Sequence, residues 1–270
     1  KIMIKKEKIT KDNIVKFPSK LTDLEKEIEA VIFAAAEPLD IDTIESKITK
    51  KGSVTKSLEK LQQEYSQRGI NLICIKNDDT SVVSYFWKGH HDKVGLDLWS
   101  KITENEGVFI DVGSHTGLYT IVGLLSNENN FLISIEPSFI NLGRMKSNLR
   151  LNNLFKNNSC FLGAASNYSG QGLFMSHPDK TFMSKGGRIA SSGENINVIK
   201  LDDISISGNK KINGIKIDTE GEDYKVLLGA ENIITNFKPH IIIEMREANK
   251  IDIIKFLSKF NYQFFIISEK

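Results

Sequence analysis

Cysteine is scarce: the 270 residues hold two, Cys74 and Cys160, in different parts of the chain. That excludes a disulfide framework and a cysteine-built metal site, and it fits a reducing cytoplasm. Long apolar runs are missing as well. No stretch approaches the ~20 residues that a membrane-spanning helix needs, and the amino terminus lacks the apolar core of a secretory signal. Charge of one sign is not in excess, since the formal net charge is +2, and a nucleic-acid partner is therefore not expected. His90, His91 and His177 show no metal-ligand spacing; they are read as surface residues, and no metal-site residues are assigned among them. Neither an internal repeat nor a low-complexity linker is present. The sequence begins with Lys1 rather than Met, which is compatible with a fragment.

What is present divides into unlike parts. At 40% hydrophobic and 26% charged, the chain can build a small domain plus a medium α/β one. Residues 1–20 carry seven lysines against Glu7 and Asp12 and read as a basic tail. Residues 21–36 place Leu21, Leu24, Ile28, Val31, Ile32 and Ala35 at helical spacing behind a Thr22/Glu25 capping box. A second capping pattern, Asp42 with Glu45, predicts a helix carrying Ile44 and Ile48. A third helix from Ser53 aligns Val54, Leu58, Leu61 and Tyr65, and INLICIK at 70–76 reads as a strand. Three short helices and a strand predict a winged-helix-like domain over 21–78.

The segments IEAVIFAAAEPLDIDTIESKI and LEKLQQEYSQRGINLICI resemble the bacterial segregation and condensation protein ScpB over about residues 21–76. That resemblance implies protein binding: ScpB winged helices dimerise and hold a kleisin partner. The family's second winged-helix domain does not follow here.

From residue 79 to 270 apolar runs alternate with helical patterns. Strands are predicted at 108–112, 131–136, 160–165, 213–218, 240–244 and 262–267. Helices are predicted from Leu118, at 138–151, at 224–234 and at 251–259. Such alternation predicts a mostly parallel sheet covered by helices on both faces, with its ligand beyond the carboxyl ends of the strands.

The chemistry is concentrated at those ends. Asp111-Val112-Gly113-Ser114-His115-Thr116-Gly117 has the spacing D-x-G-x-x-x-G, unlike the G-x-G-x-x-G of dinucleotide binders or the GK[ST] ending of a P-loop. No diphosphate cradle is implied. The turn suits a ligand with a charged amino-acid tail, with Asp111 facing an ammonium or sulfonium; a plain βα turn is the alternative. Glu136, 23 residues after Gly113, ends the next strand ahead of Pro137, where a carboxylate accepts both hydroxyls of a ribose. Gly163, Ala164, Ala165 and Ser166 end the third strand with room for a flat adenine ring, or simply pack. Together they describe a pocket for S-adenosylmethionine. In GIKIDTEGEDYKVLLGA, Lys216, Asp218 and Glu220 cluster at the end of the fourth strand, while Glu222 and Asp223 also suit a helix amino terminus.

VFIDVGSHTGLYT, ISIEPSFINLGRMKSNLRLN, KLDDI, IKIDTEGEDYKVLLGA and KPHIIIEM, in that order, resemble the FkbM family of methyltransferases. The resemblance implies a class I Rossmann-like fold with strand order 3-2-1-4-5-7-6, S-adenosylmethionine as cofactor, and O-methylation of a hydroxyl on a sugar, glycan or natural product. It places Asp111, Gly113, Gly117 and Glu136 at the cofactor, and Asp218, Glu220 and Glu244 at the reaction. Ser114, His115, Pro137, Ala164 and Ala165 complete the expected cofactor site. Asp218 is the candidate base or metal ligand, assisted by Lys216 or Glu220 with Glu244 nearby; His115 is a substitute. Residues 167–200 read as a substrate-facing insertion. Two rivals stand beside this reading: RNA 2′-hydroxyl methylation, and a kleisin-binding module carrying a truncated methyltransferase domain. The base amino-methylating tetrapeptide N-P-P-Y is absent, with IDTE in its place.

Overall fold

The computed structural model describes residues 21–34, 39–68, 72, 92–175, 187–205 and 210–267; elements are numbered in chain order among these. It divides into two compact units, Lys1–Gly69 and Ile70–Lys270. The basic tail, the strand expected at 70–76 (Leu72 apart), and His90, His91 and His177 lie outside the described residues.

In the first unit, helices α1 (Asp23–Ala34), α2 (Ile41–Lys47) and α3 (Val54–Arg68) close around Ile28, Ile44, Val54 and Leu61. The capping box forms: Thr22 N donates to Glu25 and Glu25 N to Thr22 Oγ1. Helix α2 begins earlier than the Asp42/Glu45 pattern predicted, because Asp40 Oδ1 accepts from Thr43 N at 2.7 Å and caps it. Ser53 Oγ caps α3 through Lys56 N. Glu27 on α1 binds the α2–α3 connection by accepting from Thr49 and Lys50.

The second unit opens with α4 (Lys93–Ile102), a helix not foreseen in the sequence, then alternates β1 (Val108–Val112), α5 (Leu118–Ser126), β2 (Phe131–Glu136), α6 (Phe139–Leu151) and β3 (Asn158–Leu162). After the insertion come β8 (Ile212–Ile217), α7 (Asp223–Leu228), α8 (Glu231–Phe237), β9 (His240–Ile243) and α9 (Lys250–Ser258). The parallel sheet has the order β3-β2-β1-β8-β9, which is 3-2-1-4-5 of the expected arrangement. Strand β1 is buried along its whole length, and its alternation feeds two cores. Val108, Ile110 and Val112 join Ile215, Ile217, Val226, Leu227 and Phe256 on one face, while Phe109 joins Trp99, Ile121, Leu132, Met145 and Leu149 on the other. Helices thus cover both faces, which makes the unit Rossmann-like α/β.

Three expectations are corrected. The strand predicted at 160–165 is two: β3 ends at Leu162, and β4 (Ala164–Ala165) turns into a second sheet of order β4-β7-β5-β6. Among its described residues the insertion at 167–200 forms an antiparallel ribbon rather than a loop, with β5 (Gly170–Met175), β6 (Arg188–Ala190) and β7 (Glu194–Ile199) paired in register. Residues 262–267 form no strand; Phe265 and Ile266 are exposed. This apolar run has no neighbouring strand to bond with among the described residues, and a strand without ladder partners is not stable. No helix among the described residues is long and apolar enough to cross a membrane.

Candidate active site

The carboxyl ends of β1, β2, β8 and β9, with β4 and the ribbon, enclose a cavity of ≈ 330 Å³. Gly113, at φ +72°, turns the chain out of β1; a Cβ there would fall 1.8 Å from the carbonyl oxygen of Asp218. The Gly113 and Ser114 amides both donate to Ile135 O, at 2.9 and 3.1 Å. This clamps the turn onto β2. Gly117, at φ +89°, starts α5 where a side chain would collide with Met145. Asn148 on α6 donates to Thr116 O at 2.9 Å and holds the far side of the turn.

Most of the predicted residues stand in the wall: Gly113, Ser114, His115, Glu136, Pro137, Ala164, Ala165, Lys216, Asp218, Glu220 and Glu244. Asp111 and Gly117 do not. Asp111 is fully buried behind the wall, on the β1 face that carries Phe109, accepting from Thr120 Oγ1 at 2.7 Å with Lys216 Nζ at 3.6 Å. Its expected direct contact with a sulfonium or ammonium is replaced by support of Lys216. Burial holds its carboxyl above the usual carboxylate range, against the pull of Lys216 and Thr120.

Lys216 donates to Gly113 O at 3.1 Å, lies 3.6 Å from Asp218 Oδ2, and rests over the Tyr119 ring. Burial opposes its charge, but Asp218, Asp111 and Asp92 outweigh it and hold the ammonium above the ordinary lysine value. Lys216 is therefore a fixed cation and not a proton acceptor. Asp218 and Glu244 follow β8 and β9 directly, hung on the adjacent strand by Asp218 N→Val112 O at 3.1 Å and Glu244 N→Ile217 O at 3.0 Å. Glu244, its side chain 53% exposed, is pushed up to about 7 by partial desolvation together with the charges of Asp218 and Asp223. A carboxyl poised near neutrality beside a fixed cation suits proton removal at physiological pH. Glu220 is less available, because Arg246 pairs with its carboxylate. Asp223 is structural, as its helix-terminal position suggested: it is buried and accepts from Thr219 N, Thr219 Oγ1 and Gly221 N, fixing the turn before α7.

Glu136 is 5% exposed and already receives three donors: His115 N at 2.8 Å on Oε2, and Ser138 N at 2.9 Å with Asn141 Nδ2 at 3.3 Å on Oε1. A carboxylate offers about four acceptor positions, so one remains, on Oε2, where two ribose contacts were expected. Burial raises its pKa, against His115 and those donors. Asp92, Tyr119, Asn141, Phe174 and Ile189 also line the cavity, and no motif or spacing pointed to them. Tyr119 OH donates to Asp92, and burial with the Asp92 charge raises the phenol far above its usual range. Gly95 makes that pair possible, since a Cβ there would meet Asp92 Oδ1 and the Tyr119 hydroxyl oxygen at 2.3 Å.

The model of the methyltransferase FkbM domain matches residues 111–264, more than half of the chain. The chain belongs to the FkbM methyltransferase family. Its methyl donor is S-adenosylmethionine. A second model, the segregation and condensation complex subunit ScpB, is similar to residues 26–82. No curated protein matches the sequence at a significant level. Among solved structures, the FkbM methyltransferase of Methylobacillus flagellatus is 19% identical with a TM-score of 0.43, covering 76% of this chain and 54% of that one. The chain thus spans about half the length of that protein. The precorrin-6y C5,15-methyltransferase of Geobacter metallireducens is 12% identical with a TM-score of 0.40, covering 62% and 71%. An rRNA methylase of Streptococcus thermophilus is 11% identical with a TM-score of 0.39, covering 61% and 76%. At those values the neighbours add nothing to the assignment of the FkbM domain, which the family match carries. Among the described residues, no group of three or more His, Cys, Asp or Glu is placed to hold a metal ion.

Proposed function

We propose that this FkbM domain transfers a methyl group to a hydroxyl oxygen of a sugar, glycan or natural product. The Asp218–Glu244 carboxyl pair beside Lys216 is the observation that supports the reading. S-adenosylmethionine, when bound, supplies an electrophilic methyl group. The walls fit it: Ala164, Ala165, Phe174 and Ile189 offer apolar contact to a flat ring, Glu136 an open acceptor, and Asp92 and Asp218 counter-charge for a cation. Ser114, His115 and Pro137 frame the same space. An alcohol is a weak nucleophile until its proton is drawn away, and general-base help contributes about 10²–10⁴-fold. The carboxyl pair takes that proton; Lys216, anchored by Asp111 and Gly113 O, sets a positive charge 3.6 Å from Asp218 Oδ2. Arg246 keeps Glu220 oriented at the rim.

The domain is tested by supplying labelled S-adenosylmethionine and a panel of sugars, oligosaccharides, polyol natural products and RNA, and locating the label in the product. The expected product is an O-methyl ether, with Asp218→Asn and Glu244→Gln slowing its formation by about 10²-fold or more. Label on nitrogen or carbon, or wild-type rates in both variants, overturns the reading; label on an RNA ribose identifies the nucleic-acid rival. For the amino-terminal unit we infer a protein-binding role, supported by its similarity to ScpB.

A further inference from the structure

Asn141 is 2% exposed and stands in the cavity wall, in the first turn of α6, whose N-cap is Ser138. Its side-chain N–H points at Glu136 Oε1, 3.3 Å away. Because a carboxylate accepts and an amide oxygen cannot donate, that contact decides which way the amide faces. Oδ1 is left buried with no hydrogen-bond donor among the described residues. Native proteins leave few buried acceptors unmet, and here the open side is a ligand cavity. Glu136 next to it has its one remaining acceptor position on Oε2. Two neighbouring acceptors, each lacking one donor, match a vicinal diol; the ring nitrogens of a purine are acceptors and would not satisfy either.

We propose that Asn141 is a binding residue for S-adenosylmethionine, its Oδ1 accepting from one ribose hydroxyl while Glu136 Oε2 accepts from the other. The inference rests on the adenosine reading of this pocket and adds a residue to it. An Asp at 141 would set a second carboxylate against the buried Glu136, which explains why an amide serves here.

Calorimetric titration with S-adenosylhomocysteine and its 2′-deoxy and 3′-deoxy analogues tests it, using wild type, Asn141→Ala and Asn141→Leu. Wild type is expected to bind each deoxy analogue roughly tenfold more weakly than the parent, the worth of one hydrogen bond. The variants should bind the parent roughly tenfold more weakly and be indifferent to one of the two hydroxyls. Unchanged parent affinity in a folded variant overturns the proposal. Should neither variant fold, wild type still decides: a penalty at both hydroxyls needs two acceptors and supports Asn141, whereas a penalty at one is met by Glu136 alone and overturns it. Absence of any binding by folded wild type would instead remove the adenosine reading, and this inference with it.

Discussion

The part played by Glu244 is one that pH can probe. Its carboxyl is raised to about 7 by partial desolvation and by Asp218 and Asp223. As a base it works only when ionised, so the methylation rate should climb as pH rises through about 7, and Glu244→Gln should flatten that climb. The same shift has a thermodynamic consequence of opposite sense. Folding raises the pKa, so the folded state binds more protons, and the stability that Glu244 contributes is lost as pH rises from its ordinary value of 4.5 towards about 7. Melting temperatures of wild type and Glu244→Gln between pH 5 and 8 should therefore diverge in slope; parallel curves would show that Glu244 does not carry the shift. Gly113 makes the second prediction at this scale. With φ at +72° and a Cβ destined for the Asp218 carbonyl oxygen, Gly113→Ala costs about 1–3 kcal/mol in backbone strain before any clash is counted. Denaturant titration should show at least that loss.

Among the elements, α4 is the unexpected support of the site. Trp99 is fully buried, its Nε1 donates to Tyr119 O at 2.9 Å, and its ring packs edge-on to Phe109. Trp99→Ala should lower the stability of the second unit by about 3–5 kcal/mol in chemical denaturation; a loss under 1 kcal/mol would mean that α4 is not docked as described. The β1 turn, the acid after β2 and the parallel sheet were legible because they are local: Gly113 and Gly117 answer to backbone angles, and Val108–Val112, apolar but for Asp111, is buried along its whole length because both faces are covered. Other parts were not, for physical reasons. Asp92 meets Tyr119 across 27 positions, and no spacing rule reaches that far. Asn141 reads as an ordinary helix residue until its amide is seen against Glu136. Asp111 looked like a ligand contact because its side of β1 was invisible in a fully buried strand. The apolar run at 262–267 promised a strand, but an apolar run does not supply a ladder partner.

At the scale of the whole molecule, the chain joins an FkbM methyltransferase domain to a three-helix unit similar to ScpB, and the cavity is built from the second unit. The first unit's core is small, resting on Ile28, Ile44, Val54 and Leu61, so Ile44→Ala should cost it about 2–5 kcal/mol. S-adenosylhomocysteine affinity is expected to stay within about twofold of wild type in that variant, since every residue lining the cavity belongs to the second unit; a tenfold loss would show that the helical unit takes part in cofactor binding. The central claim is that the cavity above β1 and β2 receives S-adenosylmethionine through Glu136. Titration of the full chain with S-adenosylmethionine, wild type against Glu136→Ala, tests it most directly. Saturable one-to-one binding that weakens tenfold or more in the variant, about 1.4 kcal/mol, is the predicted result; no binding by folded wild type, or equal affinity in both, would contradict it.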